Sequence, residues 1–548
     1  MKIKLIGLII CMLLIGTCIP SIRTQNTSLQ TPIAVQHNTQ PCSTENWTQL
    51  QKLLAPDGTF GDCFGCSVSI DGDTALIGAF GDRANGDLYG SAYLFTRTGT
   101  TWTQQAKIFP TSGGYYDYFG YAVSLDGDTA LIGAPGSVFN PPYPGAAYIF
   151  TRTGTTWTQQ ARLIPSDGDD EDYFGNVVAL DGDTAIIGSE YMSSGPGSVY
   201  VYARTGTTWN QQTKIVPADG FNGEMFGYSV ALQGNTALIG AECDNDNGDG
   251  SGSAYVYTRS GTTWTQQAKL LASDGASLDF LGTAVALHND TALVGAEWDS
   301  DNGYKSGSAY VFTRSGTTWT QQAKLLASDG TTQDLFGHTV ALNDNTALIG
   351  AYQDNATLYS SGSAYLFTRS GTTWTQNSKL LPSDVTEQKL FGVSVSLIPD
   401  TALIGAYGEA SGAGSAYIFI NANAPPNPPT IAGKTKGKTD TSYDYQFTTI
   451  DPESDQIYLF IDWADGTNSS WIGPYASGTQ ITKAHTWTEK GTYLIKAQAK
   501  DIKGNIGDWG TLSVTMPLSY EWSFIQFFQE FLERFPHAFP FLRHVLKA

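Results

Sequence analysis

The sequence has few basic residues and few histidines, and its central region, residues 46–420, shows no helical periodicity. Lysine and arginine total 30 against 51 aspartates and glutamates, a net charge of −21. Binding a phosphate backbone requires clustered lysine and arginine, which the central region lacks, so nucleic acid is excluded as a partner. His288 and His338 are the only histidines of that region, and neither lies in a Ser-His-Asp or histidine–metal spacing. The sequence therefore predicts no enzyme.

Cysteine is also scarce. Beyond the first 21 residues the chain has Cys42, Cys63, Cys66 and Cys243. The Cys63-Phe-Gly-Cys66 motif does not lie in a βαβ unit, which argues against thioredoxin-like redox chemistry, and zinc would need two further ligands nearby. Two interpretations stay open. One disulfide joins Cys42 to Cys63 or Cys66 in an oxidising compartment, or the cysteines are buried thiols.

The N-terminus has the layout of a secretory signal. Two lysines precede an apolar run over Leu5–Ile19, which is short for a permanent membrane span. We predict a cleaved signal peptide at 1–21, with a retained or lipidated anchor as alternatives, and a flexible lead-in at 22–45. The chain is therefore expected to be secreted or displayed at the cell surface. Matches to the N-glycosylation acceptor motif accord with that location, and the candidate sites are Asn46, Asn289, Asn355 and Asn468.

The central region contains seven copies of one unit. Tryptophans recur at intervals of 55, 55, 52, 55, 55 and 55 residues, at Trp47, Trp102, Trp157, Trp209, Trp264, Trp319 and Trp374. A period this regular predicts one structural unit repeated seven times. Residues that recur in every copy belong first to the scaffold, so a specific site is expected among residues that differ between copies.

Each unit reads as four short β-strands. In the second copy, Asp126-Gly127 is typical of a two-residue hairpin turn, and the apolar run Ala130–Ile132 predicts a strand covered on both faces. Four antiparallel strands in seven units predict an all-β fold, a seven-bladed β-propeller. The repeats begin with a lone Trp47 strand and end with a Tyr417–Phe419 strand. Seven complete four-stranded blades therefore result only if the N-terminal strand completes the last blade and closes the ring.

The repeats resemble the FG-GAP family. Phe-Gly pairs recur at 64–65, 119–120, 174–175, 226–227, 336–337 and 391–392, and the fifth copy reads Phe280-Leu281-Gly282. The family includes the seven-bladed propellers of integrin α-subunits and many bacterial and archaeal surface proteins, so the resemblance implies a propeller over 46–420. Integrin-type repeats carry a calcium loop between the first two strands of a blade. The corresponding connection here, Asp71-Gly72-Asp73, is too short to surround Ca²⁺ with six or more oxygens.

Three further segments follow the repeats. Residues 421–430 form a proline-rich linker, and residues 431–516 predict an immunoglobulin-like β-sandwich. In the latter, Trp463-Ala-Asp-Gly466 and His485-x-Trp487 resemble the PKD domain, which implies a spacer or an adhesive, carbohydrate-associated module. Residues 517–548 are an amphipathic aromatic tail with a predicted short helix. This tail either docks on the sandwich or, through 518–548, associates peripherally with a membrane or cell envelope.

Two acidic loops are candidate cation sites. Oxygen-bearing residues alternate near glycines in the fourth copy at Asp244, Asp246, Asn247 and Asp249, and in the fifth copy at Asp299 and Asp301. A calcium loop requires this pattern, yet the same residue types are typical of solvated hairpin loops. Calcium and no cofactor at all therefore both stay open. The recurring Asp-Gly connections and the recurring arginines, such as Arg97, are predicted to be turn carboxylates and structural ion pairs.

Together these features predict a secreted or cell-surface binding or adhesion protein. Its propeller presents a surface to an extracellular protein or polysaccharide, without catalysis. One alternative is a secreted polysaccharide-active hydrolase or lyase that uses the propeller channel, because a catalytic carboxylate pair would look like loop carboxylates in one sequence. Another is a structural envelope component. The first two differ in whether acids and aromatics unique to one or two blades converge at the channel mouth.

Overall fold

A computed structural model describes residues 47–516, apart from 84–88, 112–116, 137–144, 168–172, 191–194, 409–411, 422–424, 453–454 and 503, together with Arg534. The predicted signal peptide and lead-in lie outside the described residues, as do Cys42 and Asn46. So does the tail with its predicted helix, Arg534 excepted. The chain divides into two compact units, Met1–Ala422 and Asn423–Ala548.

Unit 1 contains seven four-stranded antiparallel sheets, numbered 1 to 7 along the chain. The first strands are β2 (Val68–Asp71), β6 (Val123–Asp126), β10 (Val178–Asp181), β14 (Phe226–Gln233), β18 (Leu281–His288), β22 (Thr339–Asn343) and β26 (Ser394–Ile398). The second strands are β3 (Thr74–Ala79), β7 (Thr129–Ala134), β11 (Thr184–Ser189), β15 (Thr236–Ala241), β19 (Thr291–Ala296), β23 (Thr346–Ala351) and β27 (Thr401–Ala406). The third strands are β4 (Ser91–Thr98), β8 (Ala146–Thr153), β12 (Ser198–Thr205), β16 (Ser253–Ser260), β20 (Ser308–Ser315), β24 (Ser363–Ser370) and β28 (Ser415–Asn421). The fourth strands are β5 (Thr101–Ile108), β9 (Thr156–Leu163), β13 (Thr208–Ile215), β17 (Thr263–Leu270), β21 (Thr318–Leu325), β25 (Thr373–Leu380) and, in sheet 7, β1 (Trp47–Leu53).

The second strands are covered on both faces, as the unbroken apolar run predicted. All six residues of β7 are buried, and the same holds for β3, β11, β15, β19 and β27. Each of the seven hydrophobic cores of unit 1 is shared by two neighbouring sheets. A single sheet would leave an apolar face in water, so the sheets are stable only as an array.

Glycine lets neighbouring sheets approach one another closely. A Cβ on Gly133, at the end of β7, would lie 2.0 Å from the carbonyl oxygen of Gly175 in sheet 3. Gly175 itself has a φ of +99°, a conformation that side chains rarely adopt. The phenylalanine before each such glycine bridges a glycine of the preceding sheet, as Phe174 does with Gly145. In sheet 5 Leu281 takes this place, so Leu281-Gly282 is the equivalent of the Phe-Gly pair there.

Sheet 7 contacts sheet 1 as the other sheets contact their neighbours. Strand β1 pairs antiparallel with β28, from Trp47 opposite Asn421 to Leu53 opposite Ala416. Phe64 of sheet 1 bridges Gly414 of sheet 7, and one hydrophobic core is common to both sheets. First strands contact each other in every neighbouring pair, β26 with β2 included, so they lie innermost. These features are consistent with a β-propeller.

Unit 2 contains two β-sheets with a common core. One has the order β29 (Thr430–Gly433), β30 (Tyr443–Thr448), β33 (Ile481–His485), and the other the order β32 (Ile472–Tyr475), β31 (Ile457–Asp462), β34 (Gly491–Asp501), β35 (Gly510–Met516). Trp463 and Trp487 belong to the core, and His485 stacks on Trp463 with ring centroids 4.4 Å apart. Every named element of the described chain is a strand, and within it no helix has the length and apolarity that a membrane crossing requires.

Candidate functional site

The acidic loop of sheet 4 surrounds a lysine ammonium. Lys269, on strand β17, places its Nζ atom 2.5 Å from Asp244, 2.7 Å from Asp246 and 3.1 Å from Asp219. Asp244 is buried, and it also accepts hydrogen bonds from the Asp246 N–H and the hydroxyls of Ser253 and Tyr255. Burial alone would raise the pKa of Asp244, but the donors, Lys269 foremost, hold it below its usual range.

The same arrangement recurs in other sheets. Lys324 lies 2.7 Å from both Asp299 and Asp301 and 2.9 Å from Asp274. Lys107 in sheet 1 and Lys379 in sheet 6 each lie between two aspartates, and Lys214 in sheet 3 pairs with one, Asp167. We call these groups the lysine clusters. Their recurrence makes them scaffold. In sheets 4 and 5 the ammonium lies between carboxylates that were predicted as calcium ligands.

Calcium binding stays a prediction. Within the described chain, no three His, Cys, Asp or Glu side chains are grouped so that they hold a metal ion. Asn247 donates its side-chain N–H to the carbonyl of Ala272, and the carbonyl of Asp249 accepts from Leu278 N–H. Both residues therefore shape the loop and its contact with the next connection.

Two interpretations of recurring residues are confirmed. The connection carboxylates accept backbone N–H groups three residues earlier, as Asp62 does from Thr59 and Glu224 does from Phe221. Four of the recurring arginines form ion pairs, as Arg97 does with Asp73 at 2.7 Å while its guanidinium covers the Trp102 ring. At the same place Arg259 and Arg369 donate to the side-chain oxygens of Asn235 and Asn345. These residues therefore hold the hairpins and turns together.

The cysteines and the glycosylation candidates lie apart from the acidic loops. The Cys63 thiol contacts the carbonyl of Gly61 at 3.5 Å, and the Cys66 thiol contacts that of Gly120 at 3.4 Å. The predicted disulfide involves Cys42, outside the described residues, and stays a prediction. Of the glycosylation candidates that the structure describes, all are exposed: Asn289, Asn355 and Asn468.

A different group of residues distinguishes the sheets from one another. Two positions vary among the seven copies, one directly after the Gly-Ala or Gly-Ser pair and one directly after the Phe-Gly pair. The former holds Phe80, Pro135, Glu190, Glu242, Glu297, Tyr352 and Tyr407, and the latter Cys66, Tyr121, Asn176, Tyr228, Thr283, His338 and Val393. Both positions lie at the end of the sheets opposite the Asp-Gly turns, one at the end of the second strand and the other at the start of the innermost one.

Side chains of these two positions meet between neighbouring sheets. His338 Nδ1 lies 2.7 Å from Glu297 Oε2, and the His338 ring packs on Tyr352 with centroids 4.3 Å apart. The Thr283 hydroxyl donates to Glu242 at 3.2 Å. The glutamates are largely enclosed, since Glu242 is 9% exposed and Glu297 is 6% exposed. Residues that differ between the copies therefore lie at one end of the sheets, and those of sheets 4 to 6 contact one another.

The ionisable groups of this region influence one another across several sheets. The pKa of Tyr228 is raised well above its ordinary value. Glu242 contributes most, followed by burial, Glu297, Glu190 and Tyr121. The pKa of Glu242 is likewise raised well above its ordinary value, by burial, Glu297 and Glu190. Burial raises the pKa of Glu190 to about 7. We call Glu190, Glu242, Glu297 and Tyr228 the central cluster. Perturbed pKa values of this kind are typical of functional sites.

Sequence reasoning did not find the central cluster. The dense Asp-Asn-Gly loops resemble a calcium loop in composition, whereas Glu242 and Glu297 stand singly between apolar neighbours and Glu190 stands between Ser189 and Tyr191. One signal was available: aligning the seven copies shows glutamate after Gly-Ala or Gly-Ser in copies three to five and aromatic residues or proline there in the others.

Comparisons with known proteins give a family and matches among solved structures. The FG-GAP repeat matches seven segments, 47–95, 102–150, 157–202, 209–257, 264–312, 319–367 and 374–419. The solved PKD domain of an M14-like peptidase from Thermoplasmatales archaeon SCGC AB-540-F20 is 52% identical to part of this chain, covers 17% of this chain and 98% of that one, and has a TM-score of 0.17. A search among curated proteins gave no match.

Proposed function

Because the chain belongs to the FG-GAP repeat family, we propose that it is a secreted or cell-surface binding protein of bacterial or archaeal type. Its seven sheets form a propeller closed by the N-terminal strand, and the propeller recognises an extracellular protein or polysaccharide without catalysis. The pairing of β1 with β28 and the common core of sheets 7 and 1 support the closed ring. A ring without free edges suits a protein exposed outside the cell.

One observation carries the binding role. The recurring charged residues pair with one another in lysine clusters and arginine pairs, whereas the copy-specific residues gather at one end of sheets 3 to 6. A repeat protein obtains specificity from positions that its scaffold leaves free to vary. The convergence of Glu190, Glu242, Glu297, Tyr228 and His338 there therefore favours a ligand site.

The C-terminal unit and the tail display the propeller at the cell surface in this proposal. The C-terminal unit is an immunoglobulin-like, PKD-like spacer that carries the propeller away from the envelope, and the aromatic tail 518–548 associates with that envelope. The acidic balance of −21 keeps such a protein soluble. The exposed acceptors Asn289, Asn355 and Asn468 are open to glycosylation on this route.

A binding array tests the proposed function. The full chain is applied to immobilised polysaccharides and to cell-envelope protein fractions, with and without EDTA. We expect saturable binding to a ligand in one of these classes. Loss of binding on chelation would support the predicted calcium site. An array without any ligand, together with turnover of a polysaccharide in solution, would overturn the binding role.

A polysaccharide-active enzyme is a second candidate, favoured by one contact. Glu297 holds Nδ1 of His338 at 2.7 Å, an arrangement in which a carboxylate orients an imidazole for proton transfer. If this function holds, His338→Gln abolishes the release of oligosaccharides, measured by mass spectrometry, while polysaccharide binding remains. Binding without any released product in the unaltered chain would eliminate this candidate.

A further inference from the structure

Unit 1 exposes large hydrophobic side chains at one end only. Among the residues that the structure describes, all of them lie either between a fourth and a first strand or between a second and a third strand, which is the end opposite the Asp-Gly turns. Three are more exposed than the rest, Phe60 at 69%, Tyr304 at 61% and Tyr359 at 66%. Exposed hydrophobic surface that is confined to one end indicates where a partner binds.

Tyr304 and Tyr359 occupy the same position in neighbouring sheets, in the loop after the second strand. In sheet 5 the carbonyl of Tyr304 accepts the Gln333 N–H at 2.8 Å, and in sheet 6 the carbonyl of Tyr359 accepts the Gln388 N–H at 2.8 Å. Each glutamine belongs to the connection that leads into the next sheet, and both glutamines are exposed. We call Tyr304 with Gln333 and Tyr359 with Gln388 the tyrosine–glutamine pairs.

The tyrosine–glutamine pairs are specific to sheets 5 and 6 among the copies in which the structure describes this contact. The same backbone hydrogen bond joins other residue types in sheets 4, 3 and 7: Asp249 with Leu278, Gly195 with Gly223, and Gly412 with Gly61. The backbone contact therefore belongs to the scaffold, whereas the side chains that it carries differ between copies. Such positions are where a repeat protein obtains specificity.

The backbone beneath each tyrosine is held by further hydrogen bonds to the same connection. In sheet 5 the N–H of Leu335 donates to the carbonyl of Lys305 at 3.3 Å, and the N–H of Phe336 donates to that of Ser306 at 3.0 Å. The two corresponding bonds are present in sheet 6. A tyrosine side chain has only two rotatable angles, so a ring on a fixed backbone binds a ligand with little loss of conformational entropy.

The two pairs share an aromatic ring and a neutral amide, and they do not share a charge. The Lys305 ammonium lies 5.3 Å from the centroid of the Tyr304 ring, but Ser360 takes its place in sheet 6. A tyrosine ring offers a flat apolar face, and a glutamine amide both donates and accepts hydrogen bonds. A pyranose ring has the matching groups, an apolar C–H face and a rim of hydroxyls.

We propose that the tyrosine–glutamine pairs of sheets 5 and 6 bind sugar rings of one neutral polysaccharide chain. The inference rests on the proposed function and selects polysaccharide from the two ligand classes named there. A polysaccharide repeats one unit along its length, as the two pairs repeat one set of contact groups in neighbouring sheets, whereas the surface of a folded protein has no such repeat. The net charge of −21 disfavours an acidic polysaccharide.

The experiment measures binding of polysaccharides to the full chain by isothermal titration calorimetry. The probes are the neutral polymers mannan, dextran and xyloglucan, with alginate as the acidic comparison. The variants are Tyr304→Ala, Tyr359→Ala and the double variant, each with folding checked by circular dichroism. Phe60→Ala is the matched control, because Phe60 is an equally exposed aromatic residue at the same end of unit 1 and lies beside Gly61 instead of a glutamine.

We expect at least one neutral polymer to bind more tightly than alginate. Each single variant lowers its affinity by about tenfold, because truncating an aromatic anchor removes its contact area, and Phe60→Ala leaves the affinity unchanged. The double variant lowers it by about a hundredfold or more, because both sites on one polymer chain are then lost.

Three results overturn the inference: none of the neutral polymers binds, alginate binds as tightly as they do, or the folded double variant keeps full affinity. If the binding array gives a protein as the ligand in those cases, the proposed function stands without this inference. If the array gives no ligand of either class, the proposed function falls as well.

Discussion

Glu190 couples the stability of unit 1 to pH. Burial raises its pKa to about 7, whereas an unfolded glutamate has a pKa of about 4.3. Between these values the folded state holds more protons than the unfolded state, so the free energy of unfolding falls as pH rises through this window. Glu242 shifts in the same direction. The unaltered chain is therefore expected to be less stable at pH 8 than at pH 5 through these residues.

The variant Glu190→Gln isolates this contribution. It removes the ionisation and keeps the shape, so it should be more stable than the unaltered chain at pH 8 by about 1–2 kcal/mol and similar to it at pH 5. Urea unfolding at both pH values measures the difference. An equal difference in the free energy of unfolding at the two pH values would show that ionisation of Glu190 does not destabilise the fold.

Gly133 tests the close approach of neighbouring sheets. A Cβ there would lie 2.0 Å from the Gly175 carbonyl oxygen, a backbone atom that cannot turn away. Gly133→Ala is therefore expected to lower the free energy of unfolding by about 3 kcal/mol or more, measured by urea unfolding.

The matched control for this change is Gly127→Asn. Gly127 lies in the Asp-Gly turn with a φ of +54° and no heavy atom within 4 Å of an added Cβ. Asparagine tolerates the left-handed conformation, so a change below about 1 kcal/mol is expected. Similar losses in the free energy of unfolding in both variants would mean that glycine is needed for turn conformation and not for the close contact between sheets.

At the scale of the strands, the sequence predicted what recurs. The Asp-Gly turns, the unbroken apolar second strands and the tryptophans of the fourth strands each carry a local physical signature. The pairing of the Trp47 strand with the Tyr417–Phe419 strand was predicted only by counting strands, because residues 47 and 421 are separated by the whole repeat array. The pairing of Lys269 with Asp244 and Asp246 was not predicted, since it requires knowing that the fourth strand faces the loop after the second.

Strand β1 is expected to be essential to unit 1. A chain that begins at residue 54 lacks β1 and leaves β28 as an unpaired edge, whereas a chain that begins at residue 46 keeps it. Loss of the buried Trp47 and Leu53 side chains alone should cost about 3 kcal/mol or more, and the open edge should promote association. Thermal unfolding and light scattering compare the two chains. Equal melting temperatures and equal monomer content would contradict closure by β1.

At the scale of the whole molecule, symmetry explains why the fold was predictable and the site was not. Each sequence signal of the scaffold occurs in all seven copies, so it can be recognised by its recurrence. The central cluster arises where the copies differ. Glu190, Glu242 and Glu297 occupy equivalent positions, directly after the second strand, in three consecutive sheets, and Glu190 and Glu297 both raise the pKa of Glu242. A single copy shows nothing of this relation.

The most direct test compares ligand affinity between the unaltered full chain and the variant Glu190→Gln/Glu242→Gln/Glu297→Gln, using the ligand that the binding array identifies. The account predicts that affinity falls by about a hundredfold or more while thermal unfolding shows the seven-sheet unit intact. Unchanged affinity in the intact triple variant would contradict the claim that the chain recognises its partner through the residues in which its copies differ.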